Sequence, residues 1–395
     1  MSSSQSTQSA SAKPTIKQIT DTPSLQSFCD RIADHEYITV DTEFLREKTY
    51  YAKLCLIQVA APGFDTVALI DPLADGIDLS PLWALFRDES ILKVMHACDQ
   101  DMEIFYKEMD GDLPKPIFDT QVGGMFCGLG HQIGYSGLIR HYCDQSLSKD
   151  KQYTNWSRRP LDQRSLEYAA ADVTWLRDAF ETMREELREM DRLRWVKEEI
   201  APLAEPDSYA PDPTERARRI KHRLRDSKAV TVIHALAEWR EEKAIEKDRP
   251  RNFILKDNTI VEIASSMPKK VQDFSQHRHQ DSKRWREELF EIVENVRNGK
   301  IAPVAQPPRR RRPSATVKNI TDMLNLALKC CARQNQLVPH LIANKDALQD
   351  LASGQDHDEL EFMRGWRGEL FGDLARKIMR GETTIGVKKG EIIFR

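Results

Sequence analysis

The stretch ITVDTEFLRE, Ile38 to Glu47, contains the first sign of both the fold and a chemical site. Its apolar beginning is typical of a buried strand, and Asp41 and Glu43 stand at the end of that run, directly before Phe44. Because side chains alternate across a strand, residues two apart share a face. Two carboxylates this close repel each other, and their burial is costly unless a cation lies between them. The stretch is therefore either a strand end in water or half of a metal site.

Length and composition limit the classes of protein to which this chain can belong. It has 395 residues, 40% of them hydrophobic and 31% charged, with a formal net charge of −3. About one domain per 150 residues predicts two or three domains. No apolar run approaches the roughly 20 residues that cross a bilayer, so no membrane partner is expected. Seven cysteines without a C-x-x-C pair indicate neither a disulfide framework nor a zinc site, and we expect a cytoplasmic protein.

The pattern along the chain predicts one mixed domain followed by helices. Residues 1–14 are rich in Ser and Gln and are expected to form a disordered tail. Across residues 15–200, strand-like runs precede a long helical stretch from about Leu161 to beyond Leu187, which predicts an α/β domain with one mixed sheet. Residues 201–215 hold four prolines and are predicted to be a linker, and everything beyond reads as helical.

Two helical blocks in the second half of the chain repeat each other. The sequence WREELF, 285–290, recurs as WRGELF, 366–371, and a glycine stop follows each copy. Upstream of each copy, a proline, a Lys-Asp pair and an Ala-Ser pair recur in the same order. We call residues 216–300 the first helical module and residues 316–395 the second helical module, with a Pro- and Arg-rich linker at 301–315 between them.

Two later motifs can supply partners for the acidic pair. In HACDQDMEIF, Asp99 follows an apolar run and is placed to cap a helix, whereas Asp101 lies inside the first helical turn. The physics of these residues hardly separates the two aspartates. In EYAAADVTWL, Tyr168 and Asp172 are four residues apart and share one helix face, and the alanines between them let that helix lie close to a sheet. A surface contact between Tyr168 and Asp172 is the structural alternative.

Two other aspartates receive structural interpretations. Asp71 in ALIDP precedes a proline, and Asp-Pro is an ordinary start of a turn. Asp119 in PIFDTQ follows an apolar run, but Gln121 stands where a second carboxylate would be needed. Asp119 is therefore predicted to be the N-cap of a helix.

Taken in order, the strand end Asp-x-Glu, the later aspartate and the helical Tyr-x-x-x-Asp resemble the tyrosine-bearing subclass of DEDD exonucleases. The stretches DTEFLREKTYYAKLCLIQVA, HACDQDMEIF and RPLDQRSLEYAAADV look like bacterial ribonuclease D. That family also carries two C-terminal helical domains of the helicase-and-RNase-D (HRDC) type, which the two modules would supply. The resemblance implies an α/β ribonuclease-H-like exonuclease domain followed by two small all-α helical domains.

The resemblance also implies a set of site residues. In that family the aspartate of the second motif follows the histidine of a His-Ala pair by five residues, which from His96 leads to Asp101 and not to Asp99. Two divalent cations, Mg²⁺ or Mn²⁺, are implied, with Asp41 bridging both. The other ligands would be Glu43 and Asp172 for the nucleophile-side ion and Asp101 for the second ion. Tyr168 would orient the attacking water.

The implied reaction is 3′-to-5′ hydrolysis of RNA by a two-metal-ion mechanism that releases nucleoside 5′-monophosphates. The implied partners are RNAs with single-stranded 3′ ends, namely tRNA precursors and other small stable RNAs. No Walker A sequence occurs, so no nucleotide cofactor is expected, and the protein is expected to be a monomer.

Further residues are candidates for direct contact with RNA: Thr42, Phe44, Gln58, His96, Lys149 and Trp156. An aromatic ring beside the metal pair can stack on any terminal base, and the loop SLSKDKQYTNWSRRP interleaves basic and aromatic residues as single-strand channels do. Plain packing, or a solvated loop, is the alternative. The basic runs at 216–225 and 309–312 are candidate guides for a phosphate backbone.

Two other functions stay open at this point. A 3′-5′ DNA exonuclease would use the same carboxylates, and the tandem modules favour the RNA enzyme. A non-catalytic RNA-binding protein could have kept only the fold, but the complete set of four acids and Tyr168 argues against it.

Overall fold

The computed structural model describes residues 14–147, 154–210, 212–276, 284–305, 312–355 and 359–395. The predicted tail up to residue 13, the loop position Lys149 and residues 306–311 of the second linker lie outside these ranges. The described chain forms two compact units. The first unit contains the residues up to Glu43, residues 55–208 and the second helical module; the second contains residues 44–54 and the first helical module.

A six-stranded mixed sheet is the centre of the first unit. Within the described ranges its strands are β1 Thr15–Ile19, β2 Tyr37–Leu45, β3 Lys53–Ala60, β4 Thr66–Ile70, β5 Leu92–Met95 and β6 Ile117–Asp119. The spatial order is β1-β4-β3-β2-β5-β6. Strand β4 pairs with β1 in parallel and with β3 antiparallel, whereas β2, β5 and β6 pair in parallel. The predicted mixed sheet is confirmed, and β2 lies near its middle.

Helices cover this sheet and connect its strands. They are α1 Thr22–Ile32, α2 Ser80–Arg87, α3 Asp99–Glu108, α4 Thr120–Phe126, α5 Tyr135–Cys143, α6 Gln163–Glu189 and α7 Leu193–Ile200. Asp162 begins α6 by accepting a hydrogen bond from the Ser165 amide. Ala169 and Ala170 of α6 are fully buried, as expected where small residues let a helix approach a sheet closely. The Thr39 hydroxyl of β2 donates to the Val173 carbonyl of α6 at 2.8 Å, which ties the central strand to that helix.

The second helical module packs on the α/β domain in the same compact unit. Its helices are α13 Ala315–Gln334, α14 Pro339–Ile342, α15 Lys345–Ala352, α16 Gly365–Arg367 and α17 Asp373–Met379. The Trp366 ring stacks on Trp195 with 5.4 Å between ring centroids, and Arg367 forms an ion pair with Glu199 at 2.8 Å. Gly365 has φ +52°, and a Cβ there would lie 2.5 Å from a carboxylate oxygen of Glu198. This junction is therefore tightly packed.

The first helical module forms its own core in the second unit. Its helices are α8 Pro213–Arg218, α9 Ser227–Glu246, α10 Arg251–Ile254, α11 Asp257–Ser266 and α12 Arg286–Arg297. Core side chains include Ile233, Leu236, Ile260, Ile263, Leu289 and Val293. In both modules a 20-residue helix is followed by a four-residue helix and then by a third helix. This shared order of elements supports the interpretation of the two modules as a duplication.

Two expectations from the sequence need correction. The chain beyond the first linker is not wholly helical, because β7 Ile385–Lys388 and β8 Glu391–Phe394 form an antiparallel hairpin. Short helical turns occupy Ala201–Ala204 and Pro206–Ser208 within residues 201–215, and the role of this segment as a linker stays a prediction. Asp99 is not an N-cap: α3 begins at Asp99 itself and its capping position is Cys98. Among the described helices, none has the length and apolar character that a bilayer crossing demands.

Candidate active site

Three carboxylates from two elements meet at the end of β2. One oxygen of each of Asp41, Glu43 and Asp172 lies within 4.8 Å of the others. Asp41 and Glu43 project from one face of β2, as strand alternation predicts, and Asp172 comes from α6. They line a cavity of about 210 Å³. The other lining residues are Thr42, His96, Tyr135, Tyr168 and Leu176.

A fourth carboxylate lies behind this group. Asp101 is 8% exposed and accepts a hydrogen bond from the Thr42 hydroxyl. Its charge interacts with that of Asp41. Asp99, by contrast, is exposed on the first turn of α3. Tertiary structure thus distinguishes two aspartates that the physics of the local sequence hardly separated, and it sets Asp101 beside the acidic group.

The acidic residues perturb one another strongly. Burial, followed by the negative charges of Asp41, Asp172 and Asp101, raises the pKa of Glu43 to about 10. Burial and the Asp172 charge raise the pKa of Asp41, and burial raises the pKa of Asp172 to about 7 despite an opposing hydrogen bond from Tyr168. Oxygen donors that resist ionisation together fit a hard divalent cation, because its charge removes the repulsion.

Tyr168 faces the acids from α6. Its hydroxyl forms a hydrogen bond with Asp172, and burial together with the charges of Asp172, Glu43 and Asp41 raises the pKa of Tyr168 above its usual value. The phenol therefore stays protonated at neutral pH and acts as a hydrogen-bond donor. Trp156 packs behind it, with ring centroids 6.2 Å apart and the planes tilted by 35°.

Tyr135 is a site residue that the sequence did not reveal. Its hydroxyl donates to the Asp172 carbonyl, and its ring contacts His96 edge-on with centroids 5.5 Å apart. It stands at the first position of α5, after Gly134, where no periodic pattern distinguishes it from other loop aromatics. The contact with Asp172 spans 37 residues of sequence, so only the packing of α5 against α6 reveals it.

Asp119 and Asp71 have the structural roles predicted for them. Asp119 caps α4 by accepting from the Gln121 amide at 2.7 Å. It also accepts from the amides of Ala97 and Cys98 at 3.0 and 2.9 Å, in a turn where Ala97 has a left-handed φ of 54°. Asp119 therefore stabilises the turn that joins His96 to α3. Asp71 accepts from the Leu73 amide at 2.9 Å, as a turn residue does.

The structure revises the roles of several residues that were candidates for contact with RNA. Gln58 is 0% exposed and lines no part of the cavity, and Trp156 is 2% exposed, so neither presents a surface to a nucleotide. The Thr42 hydroxyl is engaged with Asp101 and serves to position that carboxylate. His96 lines the cavity and forms a 2.9 Å hydrogen bond with Thr120. Phe44 is half-buried and belongs to the second compact unit.

Comparison with known proteins places these features in a family. A 3′-5′ exonuclease family model matches residues 16–188, and an HRDC domain model matches residues 230–296. A ribonuclease D from Jannaschia sp. is 41% identical over 94% of this chain and 97% of its own length. A ribonuclease D from Bartonella henselae is 35% identical over 95% of this chain and 93% of its own length. The chain belongs to the ribonuclease D family.

A solved structure agrees with this membership. Escherichia coli RNase D, described as an exoribonuclease involved in structured RNA processing, superposes with a TM-score of 0.80 at 28% identity, covering 93% of this chain and 99% of its own. The predicted fold class and family are confirmed. As a ribonuclease D family member, the chain is a 3′-5′ exoribonuclease, and the exonuclease family is dependent on divalent metal ions.

The raised pKa values predict how the stability of this ribonuclease D family member depends on pH. The pKa of Asp172 rises from 3.8 to about 7 in the folded state. The folded state therefore retains a proton that the unfolded state loses, and the free energy of unfolding should fall as pH rises through this window. The expected slope is up to about 1.4 kcal/mol per pH unit for each proton retained.

Urea unfolding in the presence of a chelator, from about pH 5 to about pH 8, measures this slope. Added Mg²⁺ should restore stability at the alkaline end, and Asp172→Asn should reduce the slope without abolishing it, because Glu43 also retains a proton in the folded state. A chelated protein whose unfolding free energy rises across the window would contradict the prediction.

Proposed function

We propose that this chain removes nucleotides from RNA 3′ ends with two divalent cations, Mg²⁺ or Mn²⁺, and releases nucleoside 5′-monophosphates. RNAs with single-stranded 3′ ends, including tRNA precursors and other small stable RNAs, are the proposed substrates. The observation that carries the proposal is the grouping of Asp41, Glu43 and Asp172 within 4.8 Å in the cavity that Tyr168 also lines. A cytoplasmic location and a monomeric state stay predictions.

The ligand assignment has support from the geometry. Asp41, Glu43 and Asp172 are the three whose oxygens converge, and they would hold one cation together. Asp101 lies beside Asp41 and would hold the second cation with it. When bound, such cations lower the pKa of water and stabilise negative charge on the leaving oxygen.

The protein's own groups would then align the water and the RNA end. Tyr168 stays protonated, so its hydroxyl can orient a water molecule but does not remove a proton from it. The Asp172 backbone is held by the Tyr135 hydroxyl, and the Asp101 carboxylate by the Thr42 hydroxyl. These contacts fix the acids before substrate arrives, which is the condition for efficient in-line attack. His96 lines the cavity, which supports a proposed contact with the sugar or phosphate of the terminal nucleotide.

The proposal is tested by comparing RNA and DNA single strands of equal sequence that carry a 3′ label. With Mg²⁺ or Mn²⁺ we expect release of nucleoside 5′-monophosphates from RNA, at a higher rate than from DNA, and no release when a chelator is present. A third strand, RNA ending in one deoxynucleotide, tests whether discrimination acts at the terminal sugar.

Each alternative predicts a different result in this assay. Faster degradation of DNA would replace the proposal with a DNA exonuclease. If no metal-dependent release of mononucleotides occurs from either polymer, the chain is a non-catalytic RNA-binding protein.

A further inference from the structure

The loop that leaves the acidic strand belongs to the first helical module. Strand β2 ends at Leu45, two residues beyond Glu43, and β3 begins at Lys53. The residues between them form one compact unit with the first helical module and not with the sheet that they connect. The catalytic strand therefore continues without a break into a segment whose contacts come from a different module.

Tyr50 is the centre of these contacts. Its hydroxyl donates to Oε1 of Glu241, a residue of α9 that is 1% exposed. Arg251 of α10 donates to the same carboxylate, from Nε at 2.5 Å and from Nη2 at 2.8 Å. The Arg251 guanidinium also lies 4.9 Å from the centroid of the Tyr50 ring, and that ring packs against the apolar core of the module.

The backbone of the loop is held at the same place. One oxygen of Asp248 accepts from the amides of Tyr50 and Tyr51 at 3.0 and 3.3 Å. Asp248 follows the end of α9 by two residues and has a left-handed φ of 45°. Side-chain and main-chain groups of the loop are thus both bound by the first helical module.

The Glu241 carboxylate, which accepts the hydrogen bond from Tyr50, is ionised. Burial alone would raise the pKa of Glu241, but hydrogen bonds from Arg251 and Tyr50 outweigh it and lower the pKa below its usual value. A buried carboxylate needs all of its donors, so this contact has one preferred geometry. A loop without it would sample many conformations, because short exposed segments with few contacts open easily.

We propose that Tyr50 is a positioning residue for the exonuclease reaction, through which the first helical module holds the carboxyl end of β2. Asp41 and Glu43 are on that strand, and Glu43 is seven residues from Tyr50 along one continuous backbone. The first helical module then contributes to the rate of the chemical step and not only to the capture of RNA. The inference rests on the proposed role of Asp41 and Glu43 as cation ligands.

The test is Tyr50→Phe, assayed on an oligoribonucleotide of about three residues and on a long RNA. Because a misplacement of reacting groups by about 1 Å can cost about 100-fold, we expect kcat to fall about tenfold on both substrates with little change in KM. If the first helical module only binds RNA, Tyr50→Phe should raise KM for the long RNA and leave kcat for the short one normal. That second pattern would overturn the proposal.

Tyr142→Phe is the matched control. The Tyr142 hydroxyl donates to Glu186 at 2.6 Å, so this variant also removes one tyrosine–carboxylate hydrogen bond, but one within the α/β domain that involves no residue of the loop or of the first helical module. We expect its kcat to stay near that of the wild type. An equal loss of kcat in both variants would assign the effect to general destabilisation and overturn the positioning role.

Two further variants test the route of the effect. Asp248→Gly keeps the left-handed backbone conformation accessible and removes the acceptor of the loop amides, so it should lower kcat in the same direction as Tyr50→Phe. In the Glu241→Leu background, which offers the Tyr50 hydroxyl no acceptor, Tyr50→Phe should add little further loss, since both changes break one interaction. If the losses of kcat in the two single variants multiply in the double variant, Glu241 is excluded as the residue through which Tyr50 acts.

A measurement without RNA or metal completes the design. Amide hydrogen exchange across residues 44–52, and tryptic cleavage after the exposed residues Arg46 and Lys48, should be faster in Tyr50→Phe and unchanged in Tyr142→Phe. Unchanged exchange and cleavage in Tyr50→Phe would show that the contact does not order the loop, and would overturn the inference. Wild-type hydrolysis of the short RNA tests the proposed function separately, because it does not depend on any Tyr50 variant.

Discussion

Asp41→Asn should lower kcat for RNA hydrolysis by about 10³-fold or more, while binding of single-stranded RNA survives. The charge of Asp41 interacts with those of both Asp172 and Asp101, as that of a ligand shared by two cations would. The amide keeps the shape of the side chain but removes the charge that would hold a cation. Single-turnover hydrolysis and RNA binding measured by fluorescence anisotropy separate the two effects.

The same variant makes a prediction about stability that excludes unfolding as the cause. Without metal, Asp41→Asn removes one member of a repelling, buried group, so the variant should unfold at a temperature no lower than the wild type. Asp99→Asn is the matched control, because Asp99 is an exposed aspartate two residues from Asp101, and it should retain normal activity. Near-normal hydrolysis by Asp41→Asn would refute the assignment of the site.

Tyr168→Phe should lower kcat by about 10²-fold, less than Asp41→Asn, with KM close to that of the wild type. The hydroxyl bonds to Asp172 and faces the cavity, and the phenol remains protonated because burial and three neighbouring acids raise its pKa. Its role is therefore that of a donor that orients water, and its removal misaligns the water without removing a cation ligand.

The pH dependence of kcat gives a second measurement of that role. Since Tyr168 does not titrate near neutral pH, the profile of Tyr168→Phe should keep the shape of the wild-type profile at a lower level. Two outcomes would count against water orientation and favour a proton transfer by Tyr168. One is a loss of kcat in Tyr168→Phe that is larger than the loss in Asp41→Asn. The other is the disappearance of one limb of the pH profile in Tyr168→Phe.

Local patterns correctly predicted the elements that carry the site. Alternation along β2 placed Asp41 and Glu43 on one face, and the four-residue spacing on α6 placed Tyr168 beside Asp172. Both are properties of a backbone with a fixed period, so they are readable from a few consecutive residues. The same applies to Asp119, whose capping role follows from the residues around it.

Patterns were insufficient where burial or partners come from distant parts of the chain. Gln58 and Trp156 resemble nucleotide contacts in their sequence settings but are covered by the fold. Asp101 and Asp99 differ only in which of them the packing of α3 buries. Residues 46–52 connect β2 with β3, and no local pattern in them indicates that Tyr50 contacts Glu241, 191 residues later.

The sequence by itself determined the mixed α/β domain with helices after it, the pairing of Asp41 with Glu43 and that of Tyr168 with Asp172, because periodicity, spacing and motif order are local properties of the chain. Only the tertiary structure decided that three carboxylates lie within 4.8 Å, that the Tyr135 hydroxyl binds the Asp172 carbonyl and that Tyr50 contacts Glu241 of the first helical module. Tyr135 and Asp172 are 37 positions apart in the sequence, and Tyr50 and Glu241 are 191 positions apart. Core packing, and not any local pattern, brings such residues into contact.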